Sequence, residues 1–227
     1  MIWTPNQIIG CRFENSPNNA NGDVFTEAGG LVYETGVMGM QANLASSNAR
    51  ILLGTNYIGH KMQGKRYFAI CKWYTPTTIT VGNGEIISGG INDSGATRIT
   101  HFISNVNGQL RFGSRSQASD GIDSRLAINF SFQIGVPVHI AVLGDYQDKT
   151  IQLFLNGQLN QTETNLSWGS DFYDHSDYST GSDAIGIRGW TLTNGNHGKT
   201  DELNMYSTYL PPSDIKRIYH GLHPLNG

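Results

Sequence analysis

Short runs of alternating apolar and polar residues recur along the chain, broken roughly every 8–15 residues by clusters of Gly, Asn, Asp and Ser, the pattern of an antiparallel sandwich or barrel. In the first half the runs predict strands at Leu31–Tyr33, Val37–Met40, Arg50–Leu53, Arg66–Tyr74, Thr77–Val81, Glu85–Ile91 and Arg98–Ile103. In the second half they predict Gln109–Gly113, Arg125–Phe130, Val136–Leu143, Ile151–Leu155, Gln158–Thr162, Ala184–Arg188 and Glu202–Tyr206. Arg66–Tyr74 carries large apolar groups at both parities, so it is expected at the centre of a sheet, covered on both sides. Val138–Leu143 and Thr150–Leu155 form the clearest hairpin, and Asn156-Gly157 follows at once. Asn-Gly is the preferred pair for a type I′ turn, whose two central residues both need φ > 0. One helix is predicted. Pro211-Pro212-Ser213-Asp214 supplies a start, Ile215, Ile218, Tyr219 and Leu222 form one apolar stripe, and Gly221 suits a left-handed cap.

Composition narrows the class. Of 227 residues 28 are Gly and 20 are Asn, while only 15% are charged. Both abundant residues are turn formers, which excludes a helical bundle. A net charge of −3 with 10% aromatics excludes a strongly charged disordered chain. The absence of a basic excess argues against a nucleic-acid surface. The length suits one all-β domain spanning 1–227. No run reaches the ~18 apolar residues of a membrane helix, and no basic segment precedes a hydrophobic one at the N-terminus, so a protein made without a signal peptide is expected. Two cysteines, Cys11 and Cys71, make no disulfide framework; one bridge or two free thiols are both open, with Cys71 in an apolar run.

The hairpin Val138-His139-Ile140-Ala141-Val142-Leu143-Gly144-Asp145 and Ile151-Gln152-Leu153-Phe154-Leu155-Asn156-Gly157 resembles the central hairpin of laminin-G-like domains. Gly198-Lys199-Thr200-Asp201-Glu202-Leu203-Asn204-Met205-Tyr206, followed by Leu210-Pro211-Pro212-Ser213-Asp214-Ile215, is similar to the closing strand and helix of the same family, and Arg66–Tyr74 resembles its early strand. The family sits in the concanavalin A-like lectin/glucanase superfamily. The resemblance implies an all-β, two-sheet antiparallel jelly-roll sandwich with one short C-terminal helix. It leaves function open, because one fold hosts lectins, adhesion modules, hydrolases and virion proteins. The opening Trp3-Thr4-Pro5-Asn6-Gln7-Ile8 looks like domains of tailed-bacteriophage structural proteins.

Hydrolases of this fold place carboxylates at alternate strand positions, so that an acid and a nucleophile face one bond. No such run exists here, and adjacent Asp201 and Glu202 are expected on opposite faces of their strand. There is no Gly-x-Ser-x-Gly elbow and no phosphate loop. His139 is expected to be a strand residue with a satisfied ring. His220 and His223 are read as surface groups near a helix C-terminus.

No catalytic cofactor is expected; a structural calcium ion is the one cation considered. The resemblance implies calcium ligands at Asp201, Asn15 and Asp23, with Glu14 beside them; the competing reading has Asp201 fixing loop amides. The segment 169–183 with flanking Trp168 carries Asp171, Tyr173, Asp174, Asp177 and Tyr178, aromatic faces and carboxylates suited to a sugar, to a protein partner, or to a plain rim. The function expected from these features is a non-enzymatic phage virion structural or surface protein, a capsid decoration or tail-associated module able to adhere to host glycans. Its expected partners are other virion proteins, with self-association as a trimer or higher ring and without nucleic acid or a membrane span. The alternative is a soluble bacterial carbohydrate-binding lectin module.

Overall fold

The computed structural model describes residues 6–16, 21–44, 49–54, 57–62, 64–78, 83–93, 96–106, 109–114, 124–164, 166, 183–186 and 198–225. Fifteen strands and two helices are assigned among these residues. In chain order the strands are β1 Gln7–Cys11, β2 Thr26–Ala28, β3 Val32–Thr35, β4 Met40–Asn43 and β5 Arg50–Gly54. Helix α1, Tyr57–Met62, leads into β6 Tyr67–Pro76, β7 Asn83–Asp93, β8 Ala96–Val106, β9 Gln109–Ser114 and β10 Ser124–Ser131. Then come β11 Val138–Asp145, β12 Thr150–Leu155, β13 Gln158–Glu163, β14 Asp183–Ile185, β15 Gly198–Tyr206 and helix α2 Pro212–Tyr219.

The strands form two antiparallel sheets, ordered β13-β12-β11-β6-β15-β4-β3 and β10-β9-β8-β7-β14-β5-β2, with β1 also paired to β15. This is the expected sandwich. Strand β6 lies between β11 and β15 and is buried on both faces. Its two parities serve two cores. Phe68, Ile70 and Tyr74 join Val138, Ile140, Val142, Leu203 and Met205 between the sheets. Ala69 and Cys71 join Ala141, Leu143, Phe154 and Tyr206 under Leu210, Ile215 and Ile218. Helix α2 therefore roofs the outer face of the first sheet, which explains why β6 and β11 lack a polar parity.

Gly144 leaves room for the Phe68 ring, because a Cβ there would fall inside that ring's contact distance. Gly144→Ala is expected to cost about 1–3 kcal/mol by overpacking, read as a lower denaturant midpoint with an unchanged slope.

Several local expectations give way. Val37–Met40 is not a strand: Val37, Met38 and Gly39 make the β3–β4 turn, with Gly39 at φ 130. The predicted Thr77–Val81 strand is absent at residues 77–78, which form a bend after β6, while 79–81 lie outside the described residues. Of the two alternatives left open for the cysteines the structure shows the thiols: Cys11 and Cys71 form no disulfide and are buried in separate cores, and burial pushes both thiols far above their usual range. Leu222 leaves the helical stripe, since Gly221 at φ 73 turns the chain and leaves Leu222 52% exposed.

Helix α1 was not foreseen. Its partner is remote: the Ile58 amide donates to Asp183 Oδ2 on β14 (2.5 Å), so no local cap marks it in the sequence.

Candidate functional site

Strand β15 carries the acidic pair. Register jumps from Asp201↔Trp73 to Asn204↔Cys71, so a β-bulge sets two residues against one. Glu202 takes φ 48 at the bulge and faces a depression with Asn204 and Tyr206. Asp201 pairs with Trp73, whose ring packs on Tyr219 of α2. Both acids thus lie on the outer face, not on opposite faces; the extra residue of the bulge breaks the alternation.

Burial raises the Glu202 carboxyl to about 7, although nearby Arg12 lowers it; the Arg12 Nε–Glu202 Oε1 distance is 3.4 Å. A shifted carboxyl can mark chemistry. The space beside it, however, is ≈ 20 Å³, room for about one water and no substrate.

Asp201 secures the β3–β4 turn: Oδ2 accepts from the Met38 amide (2.9 Å), and the Glu202 and Val37 amides also bond it. Its Oδ1 is buried without a partner. Asp23 has other partners: its Oδ2 accepts from Tyr57 (2.5 Å) and Asn21 (2.7 Å) and lies 3.7 Å from Lys61 Nζ. Asn15 sits at φ 60 in a tight turn, its amide donating to the Phe13 carbonyl (2.8 Å). Glu14 Oε1 accepts from the Met40 amide (3.4 Å). Among the described residues no group of three His, Cys, Asp or Glu could hold a metal ion.

Trp168, Asp171, Tyr173, Asp174, Asp177 and Tyr178 lie outside the described residues. The nearest described neighbours are Leu166, whose amide donates to the Lys149 carbonyl (3.1 Å), and Asp183 on β14. Leu166 thus sits at the end of the sandwich that carries the Asp145–Thr150 turn.

The opposite end holds a cleft of ≈ 180 Å³. Phe130, Phe132, Val136, Pro137 and Val138 give it apolar walls. Phe130 and Phe132 meet edge to face at 5.3 Å, and Tyr74 braces Phe132 at 5.2 Å. The wall is pinned by a turn: the Val136 amide donates to the Gln133 carbonyl (3.1 Å), and the Gly135 amide to the Pro76 carbonyl (2.8 Å). Gly135 at φ 75 supplies the positive φ that a type II turn needs at its third residue.

Three polar residues complete the lining: Ser131, Gln133 and Asn156. Asn156 is the best held. It opens the Asn-Gly turn at φ 49, with Gly157 at φ 76, as a type I′ turn requires. Its amide donates to the His139 carbonyl (2.9 Å), and its Oδ1 accepts from the His139 amide (2.9 Å). That leaves the side-chain Nδ2 as a fixed donor at the cleft. Sequence reading took Asn156 only as turn chemistry and missed Gln133 altogether; the Asn-Gly pair after an apolar strand was the one signal available.

His139 itself is a strand residue, but its ring is not satisfied by hydrogen bonds. Nδ1 and Nε2 are both buried without partners. Trp73 and Tyr219 enclose the ring at 5.4 and 5.7 Å, and burial lowers its pKa to about 3.

The sequence profile of Laminin_G_3, described as the concanavalin A-like lectin/glucanases superfamily, matches residues 47–216. None of the curated proteins matches the sequence. Among solved structures, the receptor-binding domain of botulinum neurotoxin C/D mosaic serotype is similar, with a TM-score of 0.69, 14% identity, and coverage of 95% of this chain and 51% of that one. Domain 4 of AbnA, a GH43 extracellular arabinanase from Geobacillus stearothermophilus, in complex with arabinotriose, gives a TM-score of 0.67 at 19% identity, covering 94% of this chain and 98% of that one. The binding domain of Paraclostridial Mosquitocidal Protein 1 gives 0.69 at 15% identity, with coverage of 95% and 52%. The chain spans about half the length of the toxin domains and nearly all of the arabinanase module. Likeness at these identities establishes a shared lectin-like fold.

Proposed function

The chain belongs to the concanavalin A-like lectin/glucanases superfamily, and from that premise we propose that it is a non-catalytic carbohydrate-recognition module. The observation that carries this reading is the cleft between the β10–β11 connection and the Asn156-Gly157 turn: aromatic and aliphatic walls held by backbone hydrogen bonds, with amide groups left free at the rim. Sugar rings present an apolar face and a fringe of hydroxyls. A concave, largely apolar site with a few fixed polar groups complements both. The match in size to the arabinanase module, solved with arabinotriose, supports the same reading.

Among the described residues the acidic pair of β15 gives no competing site of comparable space. Asp201 is spent on the β3–β4 turn, and Glu202 opens on a water-sized depression. The virion setting rests on sequence features alone, and neither the fold nor the family adds to it. Recognition itself is what we propose, wherever the chain is displayed.

An immobilised glycan array probed with the purified chain tests this. Binding to a discrete subset of glycans is expected, with no release of reducing sugar from the bound set. A blank array, or turnover of a bound glycan, refutes the proposal.

A further inference from the structure

We infer that this cleft selects uncharged saccharides and takes a single terminal ring, a claim that rests on carbohydrate recognition at the same place. Among the described residues its lining offers aromatic, aliphatic, hydroxyl and amide groups and no Lys, Arg, His, Asp or Glu. An anionic sugar seated there would lose water from its carboxylate or sulfate and meet no cation in return, and an unpaired buried charge is among the costliest groups to desolvate. The chain's net charge of −3 adds a weak repulsion in the same sense.

Neutral hydroxyls fare differently. Each both donates and accepts, and so does a side-chain amide. The Gln133 side chain is exposed at the cleft, and Asn156 Nδ2 stays free while Oδ1 is engaged by the His139 amide. Asn156 is therefore a donor held in place before any ligand arrives, which avoids the ordering cost that a mobile side chain would incur. Size sets the other limit. The cleft's ≈ 180 Å³ falls below the ~300–1,000 Å³ of sites that engulf drug-sized ligands. One ring fills it, and the next residue of a chain projects into solvent.

The test uses an array of neutral hexose and pentose oligosaccharides beside the same chains capped with N-acetylneuraminic acid or sulfate. The wild-type chain, Asn156→Asp and Gln133→Ala are compared. Asn156→Asp keeps the oxygen that accepts from His139 and tolerates the left-handed turn, so the fold survives while the donor is lost. Neutral glycans are expected to bind, anionic caps to weaken binding at least about tenfold, and Asn156→Asp to lose about tenfold on the neutral ligands. The methyl glycoside of the terminal sugar should compete within about threefold of the full oligosaccharide.

Preference for the capped glycans overturns the neutral class. Affinity that climbs more than about tenfold with chain length overturns the single ring. Undiminished binding by both variants places recognition elsewhere on the chain and leaves the broader function standing. A blank array with all three proteins removes that function as well. A concentration-dependent dimer dissolved by Val136→Asp would assign the cleft to a second copy instead.

Discussion

A His139→Phe variant is expected to gain roughly 3 kcal/mol of stability relative to the natural sequence as pH falls from about 7 to about 4. His139 is enclosed by Trp73 and Tyr219, and its two ring nitrogens have no partner. Burial lowers its pKa from 6.5 to about 3. The folded chain therefore refuses a proton that the unfolded chain accepts. Stability is intact above pH 6.5 and falls as pH drops toward 3, by about 1.4 kcal/mol per unit at most. By about pH 4 the gap between the two proteins reaches roughly 3 kcal/mol, or roughly 6–12 °C in melting temperature for a chain of this size. Phenylalanine fits the aromatic surround and has nothing to protonate. Glu202 acts in the opposite sense: its carboxyl is raised from 4.5 to about 7, so it costs stability as pH rises through that window, in both proteins alike. Melting curves that fall in parallel for wild type and variant would contradict the assignment.

Lys72→Met is expected to raise stability at neutral pH by about 1–4 kcal/mol. Lys72 is fully buried between the sheets, on the parity of Ile70 and Tyr74. Its Nζ donates to Thr200 Oγ1 (2.9 Å) and lies 5.7 Å from the centre of the Tyr74 ring. Burial holds its pKa well below 10.5. Folding must strip the proton or bury the charge, and one hydroxyl repays only part of that cost. Methionine fills a similar volume with no polar end. The sign gives a second readout: above about pH 10.5 the unfolded lysine is neutral too, so the advantage of the variant shrinks as pH rises. A less stable variant would mean that the Thr200 bond outweighs desolvation.

Lys72 also shows where sequence reading stops. Its neighbours Ile70, Cys71, Trp73 and Tyr74 announced a central strand, and β6 occupies that place; no pattern said that the lysine would face inward. The same holds along β15. Alternation put Asp201 and Glu202 on opposite faces, and one extra residue at a positive φ moved both to the outer face. Periodicity reports the regular ladder and is blind to a bulge.

Elements held by remote partners were equally hidden. Helix α1 depends on Asp183, 125 residues away, and β1 shows its role only beside β15. By contrast the α2 start, the Gly221 stop and the Asn156-Gly157 turn were legible, because each depends on residues adjacent in sequence. The cleft needed both kinds of information. Asn156 could be read as a turn, but its meeting with Phe130, Phe132 and Gln133 is set by the packing of two sheets.

The most direct test of recognition at this cleft is a ¹⁵N-detected titration of the natural sequence with the best neutral glycan from the array. Saturable shifts should centre on the side-chain amides of Asn156 and Gln133 and on the backbone of residues 130–138. Shifts centred at the opposite end of the sandwich, around residues 145–150 and 166, or no shifts at saturating ligand, would contradict the account.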